Sequence, residues 1–144
     1  MSLNFKFYFL AREYISCIAS AIKEKVTKII NDKSFFSILS DGSQARKTKD
    51  EKELILVRVE REGTPVYFVV SLLDMNNLGG MGANAIKNGI DSIFNESDNI
   101  PLTAAAYKSK LVSATADGSN VNFRIYNGVL TQLKNDRMWL IKIY

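Results

Sequence analysis

Two short runs rich in β-branched and aromatic residues, 54–59 and 66–73, flank Glu62-Gly63-Thr64-Pro65. Such runs around turn-forming residues predict an antiparallel hairpin. The chain beyond the hairpin restricts the fold further, because helical and strand-like periods then alternate. Ile86, Ile90, Ile93 and Phe94 mark one face of a helix behind Gly79, Gly80 and Gly82, and Gly89 weakens this helix without breaking it. Residues 110–116 read as a strand, Val121, Ile125, Val129, Leu130 and Leu133 mark a further helix capped by Ser119 or Asn120, and 138–144 read as a last strand.

Ahead of the hairpin, Ile15, Ile18, Ile22, Val26 and Ile29 recur at steps of three and four, which predicts an amphipathic helix over 11–30. Residues 35–39 form a short apolar strand ending in Asp41-Gly42, residues 43–52 a polar loop, and 95–101 a polar linker. The predicted order is helix, three strands, helix, strand, helix, strand. A hairpin sector succeeded by crossovers implies an α/β fold with a mixed sheet of five strands, flanking helices and an N-terminal helix. At 144 residues the chain fits one domain.

With 47% hydrophobic and 24% charged residues, a packed core is expected rather than disorder. The net charge of +4 is spread unevenly, with basic ends and an acidic middle. The absence of histidine excludes Ser-His and Cys-His catalysis and histidine-ligated zinc, leaving carboxylates as the catalytic candidates. The single cysteine, Cys17, forbids an internal disulfide, and its apolar neighbours Ile15, Ile18 and Ala19 predict a buried structural thiol. The apolar start is broken by Lys6 and closed by Arg12 and Glu13, too short for a membrane span or a signal peptide, so an intracellular, soluble chain without a membrane partner is expected.

Two acidic residues share one setting: Asp41 in Ser-Asp-Gly-Ser and Asp117 in Ala-Asp-Gly-Ser, each ending a strand-like run. If the strand of Asp117 returns parallel to that of Asp41 and lies beside it, both carboxylates meet at one sheet edge, where α/β sheets place ligands. Adjacent carboxylates repel unless a cation intervenes, and a hard divalent ion takes oxygen ligands together with phosphate groups. Two such ions can run phosphodiester cleavage. Asp-Gly-Ser is also ordinary turn chemistry, and Asp-Gly-Ser-Asn ahead of an apolar helix is an ordinary helix start. Trp139 reads as packing. The three glycines at 79, 80 and 82 lack a phosphate-binding fingerprint, and Lys47 and Lys49 alternate with acids in a solvated loop.

These residues resemble the catalytic core of hAT-superfamily transposases, especially the domesticated, zinc-finger-protein-like members. The similarity rests on Phe35-Phe36-Ser37-Ile38-Leu39-Ser40-Asp41-Gly42-Ser43, Glu53-Leu54-Ile55-Leu56-Val57-Arg58-Val59 and Thr115-Ala116-Asp117-Gly118-Ser119-Asn120-Val121-Asn122, with Arg12-Glu13-Tyr14-Ile15 resembling the lead-in. The resemblance implies an RNase H-like fold, with residues 1–33 as a helical lead-in and 34–144 as a partial transposase core, incomplete at its C-terminus. In that family three acids bind Mg²⁺ or Mn²⁺ for DNA strand cleavage and transfer. Asp41 and Asp117 match the first two, as catalytic and metal-binding residues. The family's glutamate, which lies beyond a helical insertion, and its Cys-x-x-His element have no counterpart here, and Gln44-Ala45 stand where the family often has Thr-Asp.

The implied function is a truncated, transposase-derived domain in the nucleus, with DNA as ancestral substrate and no cleavage by this chain alone. Residual metal binding is expected to be weak. One alternative is a non-catalytic nuclear module of the same fold that binds a protein partner, associates with DNA or forms a homo-oligomer. Another is a nuclease completing its site with Asp74 or Glu53.

Overall fold

The computed structural model describes residues 3–44, 50–80, 82–94, 100, 102–117, 120–136 and 141–142. Helix α1 spans Leu3–Asp32, followed by strands β1 (Phe36–Gln44), β2 (Glu51–Arg61) and β3 (Thr64–Asp74). Helices α2 (Ala83–Ile93) and α3 (Ala104–Lys110) then lead into β4 (Leu111–Ala116). Two short helices, α4 (Asn120–Phe123) and α5 (Val129–Asn135), precede β5, a two-residue segment at Ile141–Lys142.

The architecture is mixed α/β. Four substantial strands form the sheet in the order β3-β2-β1-β4, and β5 pairs alongside β4 at the outer edge. The first three are mutually antiparallel, whereas β4 returns parallel to β1. The predicted hairpin is present, and its turn is tighter than the sequence suggests. Glu62 and Gly63 both take positive φ, 53° and 79°, the signature of a two-residue turn whose twist matches the strands it joins. The ladder therefore runs on to the Arg61–Thr64 pair. Pro65 is accommodated because β3 is an edge strand.

The core lies between one face of the sheet and the helices. Ile55, Val57 and Val59 alternate inward from β2, Phe36 and Ile38 from β1, and Ile86, Ile90 and Ile93 from α2. Phe36, Phe94 and Tyr107 stack together, with centroids 5.3 Å apart for Phe36–Phe94 and 4.7 Å for Phe94–Tyr107. The Tyr107 hydroxyl donates to Asp91 at 3.1 Å, so the buried ring keeps a polar partner. Gly89 faces β3, and a methyl built on it would lie 2.7 Å from a Leu73 methyl, so the missing side chain lets α2 approach the sheet. Lys87 joins the helices, with Nζ 2.7 Å from both Asp91 and Asp136.

Several sequence expectations change. Helix α3 has no counterpart in the expected order; Thr103 caps it by accepting from the Ala106 amide at 3.1 Å, and its first three residues are alanines. The predicted helix carrying Val121 to Leu133 is two helices, because the chain turns through 124–128 and leaves Ile125 and Tyr126 exposed. Gly128 permits that turn. A Cβ there would sit 2.6 Å from the Asn122 carbonyl oxygen and the Arg124 nitrogen.

Cys17 is exposed rather than buried. The amphipathic stripe identifies the apolar side of α1 but not whether anything packs against it. Only the last turns of the helix do so, through Val26 and Ile30. Trp139, Lys47 and Lys49, and most of the predicted last strand, lie outside the described residues. No helix among the described residues is long and apolar enough to cross a membrane.

Candidate functional site

The two aspartates are positioned by the β1–β4 pairing. Ser40 lies opposite Ala116 in the parallel register, so each aspartate follows the last paired position, Asp41 within β1 and Asp117 one residue beyond β4. The parallel pairing of the two strands is the one expected from the crossover. Both residues are exposed. Their settings nevertheless differ from the matched turns that the sequence predicts.

Asp41 is inside a strand. β1 continues through Gly42, Ser43 and Gln44, which pair with Glu53, Lys52 and Glu51. The turn reading of the first Asp-Gly-Ser is therefore corrected, as is the polar loop over 43–52, both of whose ends are strand. Short polar residues have weak strand preference of their own. Here the Leu54 to Glu51 side of the ladder supplies the backbone partners that hold them extended.

Asp117 lies one residue beyond β4 and its carboxylate accepts from Asn122 Nδ2 at 2.6 Å. The amide comes from α4, so the bond ties the strand end to the next helix. Asn122 is itself buried. Sequence reasoning includes it in a matched motif without giving it a role. Residues 118–119, the Gly-Ser of the second motif, lie outside the described residues.

A third carboxylate belongs to the same neighbourhood. Glu53 is 1% exposed and its Oε1 accepts a hydrogen bond from the Ser40 hydroxyl. Burial raises its pKa above the ordinary carboxylate value; the Ser40 hydrogen bond opposes that shift, and the nearby charges of Asp117 and Asp41 reinforce it. A sequence signal for Glu53 exists. It is the one charged residue at an inward position of the alternating run Glu53, Ile55, Val57, Val59.

Strand alternation explains why these acids do not converge. Ser40, Gly42 and Glu53 share the helix-covered face, whereas Asp41 alternates to the other face beside Leu54. Asp74, the other acid that the sequence offers for the site, pairs with Lys52 at 2.7 Å, and that bond holds its carboxyl below the usual range. It sits on β3, two strands from β1. Among the described residues, no group of three or more histidine, cysteine, aspartate or glutamate side chains is arranged to hold a metal ion.

The donor set is therefore two exposed carboxylates, Asp41 and Asp117, the latter tied to Asn122, with a third, Glu53, buried and bonded to Ser40. It falls short of a resident two-ion centre, and no chemical step is derived through one. Neither a scan against protein-family models nor a search of curated proteins finds a match to this chain.

Proposed function

We propose that this chain is a hAT-type, transposase-derived domain with a five-stranded RNase H-like sheet, whose ancestral chemistry is metal-dependent DNA cleavage and strand transfer. The observation that supports this reading is the parallel β1–β4 pairing, whose register runs to Ser40–Ala116, one residue before Asp41 and Asp117. The sheet order β3-β2-β1-β4-β5, with an antiparallel first sector and parallel additions, also supports it. Nuclear localisation and DNA as the ancestral partner belong to the same reading.

On this proposal the described residues do not cleave DNA by themselves. Two aspartates supply part of the negative charge that a divalent ion and a phosphodiester require, and Glu53 is a poor third ligand because it is buried and bonded to Ser40. Incubation with labelled duplex and Mn²⁺ should give no specific nicking. Nicking abolished by Asp41→Asn would overturn this conclusion.

The metal pair has its own test. Mn²⁺ should broaden amide resonances around Asp41 and Asp117 at millimolar concentration, and Asp41→Asn should remove the effect. Broadening that spares both strands, or micromolar affinity by calorimetry, would contradict the proposed weak two-carboxylate site. The engagement of Asp117 by Asn122 and of Glu53 by Ser40 favours a second reading, a non-catalytic protein-interaction or DNA-associated module that keeps the fold.

A further inference from the structure

Helix α1 presents an apolar stripe that is exposed over most of its length, and its later part, at Ala19, Ile22 and Val26, borders an open groove against Val69, Val70 and Ile100 of the same domain. Residues 8–25 are all exposed, a stretch of about 27 Å at helical rise. Along it, Tyr8, Tyr14, Ile15, Ile18 and Ile22 are between 58% and 69% exposed. At about 100° per residue these five fall within one side of the helix together with Ala11 and Ala19. The same side continues into Val26 and Ile30, which are buried in the core.

We propose that this stripe is the interface of a homodimer, in which α1 of two copies pack antiparallel about a two-fold axis centred near residues 16 and 17. Two observations support a second copy as the occupant. First, the stripe carries roughly 700 Å² of accessible, mainly apolar surface, above the patch a typical monomer exposes and close to the ~800 Å² each partner contributes to a standard interface. The charges bordering the stripe are Arg12 and Lys23, both at one edge. In the antiparallel register the two copies of Arg12 stand about 13 Å apart along the axis, but Lys23 of the second copy comes within about 3 Å of the level of Arg12 on the same edge, so association should tighten as salt screens that pair. Ile15 then meets Ile18 of the second copy, Ala11 meets Ile22, and Tyr14 lies against Ala19. The alanines let the helices approach closely.

Second, a helix so exposed is poorly sustained by its own sequence. Ile15, Ile18 and Ile22 are β-branched, and helices in water owe most of their stability to a packed apolar face. The lone packed end at Val26 and Ile30 fixes only the last turns. A two-fold partner supplies the missing face along the rest.

Sedimentation of the full chain at about 50 μM should give twice the monomer mass, and Ile15→Asp with Ile18→Asp should weaken association at least ~100-fold by burying unpaired charge. Far-UV circular dichroism of that variant should retain the strand signal while losing helix. Cys17, the chain's single cysteine, is exposed on the side away from the stripe and provides an independent probe. A nitroxide there should give one short inter-chain distance. Moving the label to position 28, with Cys17→Ser and Lys28→Cys, should separate the labels by about 35 Å along the axis. Equal distances for the two sites would overturn the antiparallel geometry. A monomer at that concentration, with no dipolar signal, would overturn the dimer, as would a monomer that uses the stripe to bind anionic phospholipid vesicles.

Discussion

Replacing Gly128 with alanine should cost about 2 kcal/mol of stability, a figure set by the atoms the added methyl would meet. Its carbon would lie 2.6 Å from the Asn122 carbonyl oxygen, 2.6 Å from the Arg124 nitrogen and 2.8 Å from the Arg124 oxygen. All three are backbone atoms, so no side-chain rotation relieves the contact. The segment is also pinned. The Gly128 amide donates to the Arg124 carbonyl at 2.9 Å, the Thr131 hydroxyl donates to that same carbonyl at 3.0 Å, and the Gln132 amide donates to the Gly128 carbonyl at 2.9 Å. Inserting a methyl into such a site costs typically 1–3 kcal/mol, and the backbone contacts put it near the upper end, at about 3. Against this stands a gain of roughly 0.4–1 kcal/mol from a less flexible unfolded chain, because φ −74° and ψ 156° suit alanine.

The net loss corresponds to a fall in Tm of roughly 6 °C for a chain of this size. Urea unfolding monitored by circular dichroism measures it directly. Gly89→Ala is the matched control. Its clashes are with the methyl ends of Leu73 and Leu78, which can rotate, and alanine gains about 1 kcal/mol of helix propensity over glycine. That variant should stay within about 1 kcal/mol of the parent. Indistinguishable stabilities for Gly128→Ala and the parent would refute the close-packed turn and the break between α4 and α5 that depends on it.

Glu53→Gln should stabilise the fold at neutral pH and flatten its pH dependence. Because the folded-state pKa of Glu53 is raised above 4.5, its favourable contribution is complete below that value and is lost as pH rises through the folded pKa. Parallel urea midpoints for parent and variant between pH 4 and pH 8 would count against this. Ser40→Ala should cost about 1–3 kcal/mol, since it leaves a buried carboxyl without its donor. Combining it with Glu53→Gln tests whether that loss runs through the pair, and additive effects of the two substitutions would say it does not.

Much of the sheet was legible because its signals are local or periodic. The two alternating runs around Glu62 and Gly63 define the hairpin, and the isoleucines at 86, 90 and 93 define α2. The parallel return of β4 beside β1 was also legible, since the intervening helix makes that crossover the natural connection. Other elements were hidden by competing preferences. Ser40 to Gln44 looks like a turn and becomes strand only because β2 offers a continuous ladder. The 121–133 pattern fits one helix, yet the contacts around Gly128 require two.

By itself the sequence determined that no histidine is available to a site within these 144 residues, and that Asp41 and Asp117 follow strand-like runs able to lie side by side. Residue types and strand order suffice for both. Tertiary structure decided which carboxylates are brought together and which are not. Alternation places Glu53 on the covered face, bonded to Ser40, while Asp41 points to the other. It also decided that the apolar side of α1 is covered by the core only at its last turns, through Val26 and Ile30, because periodicity fixes the direction of a helix face and only packing fixes what lies against it.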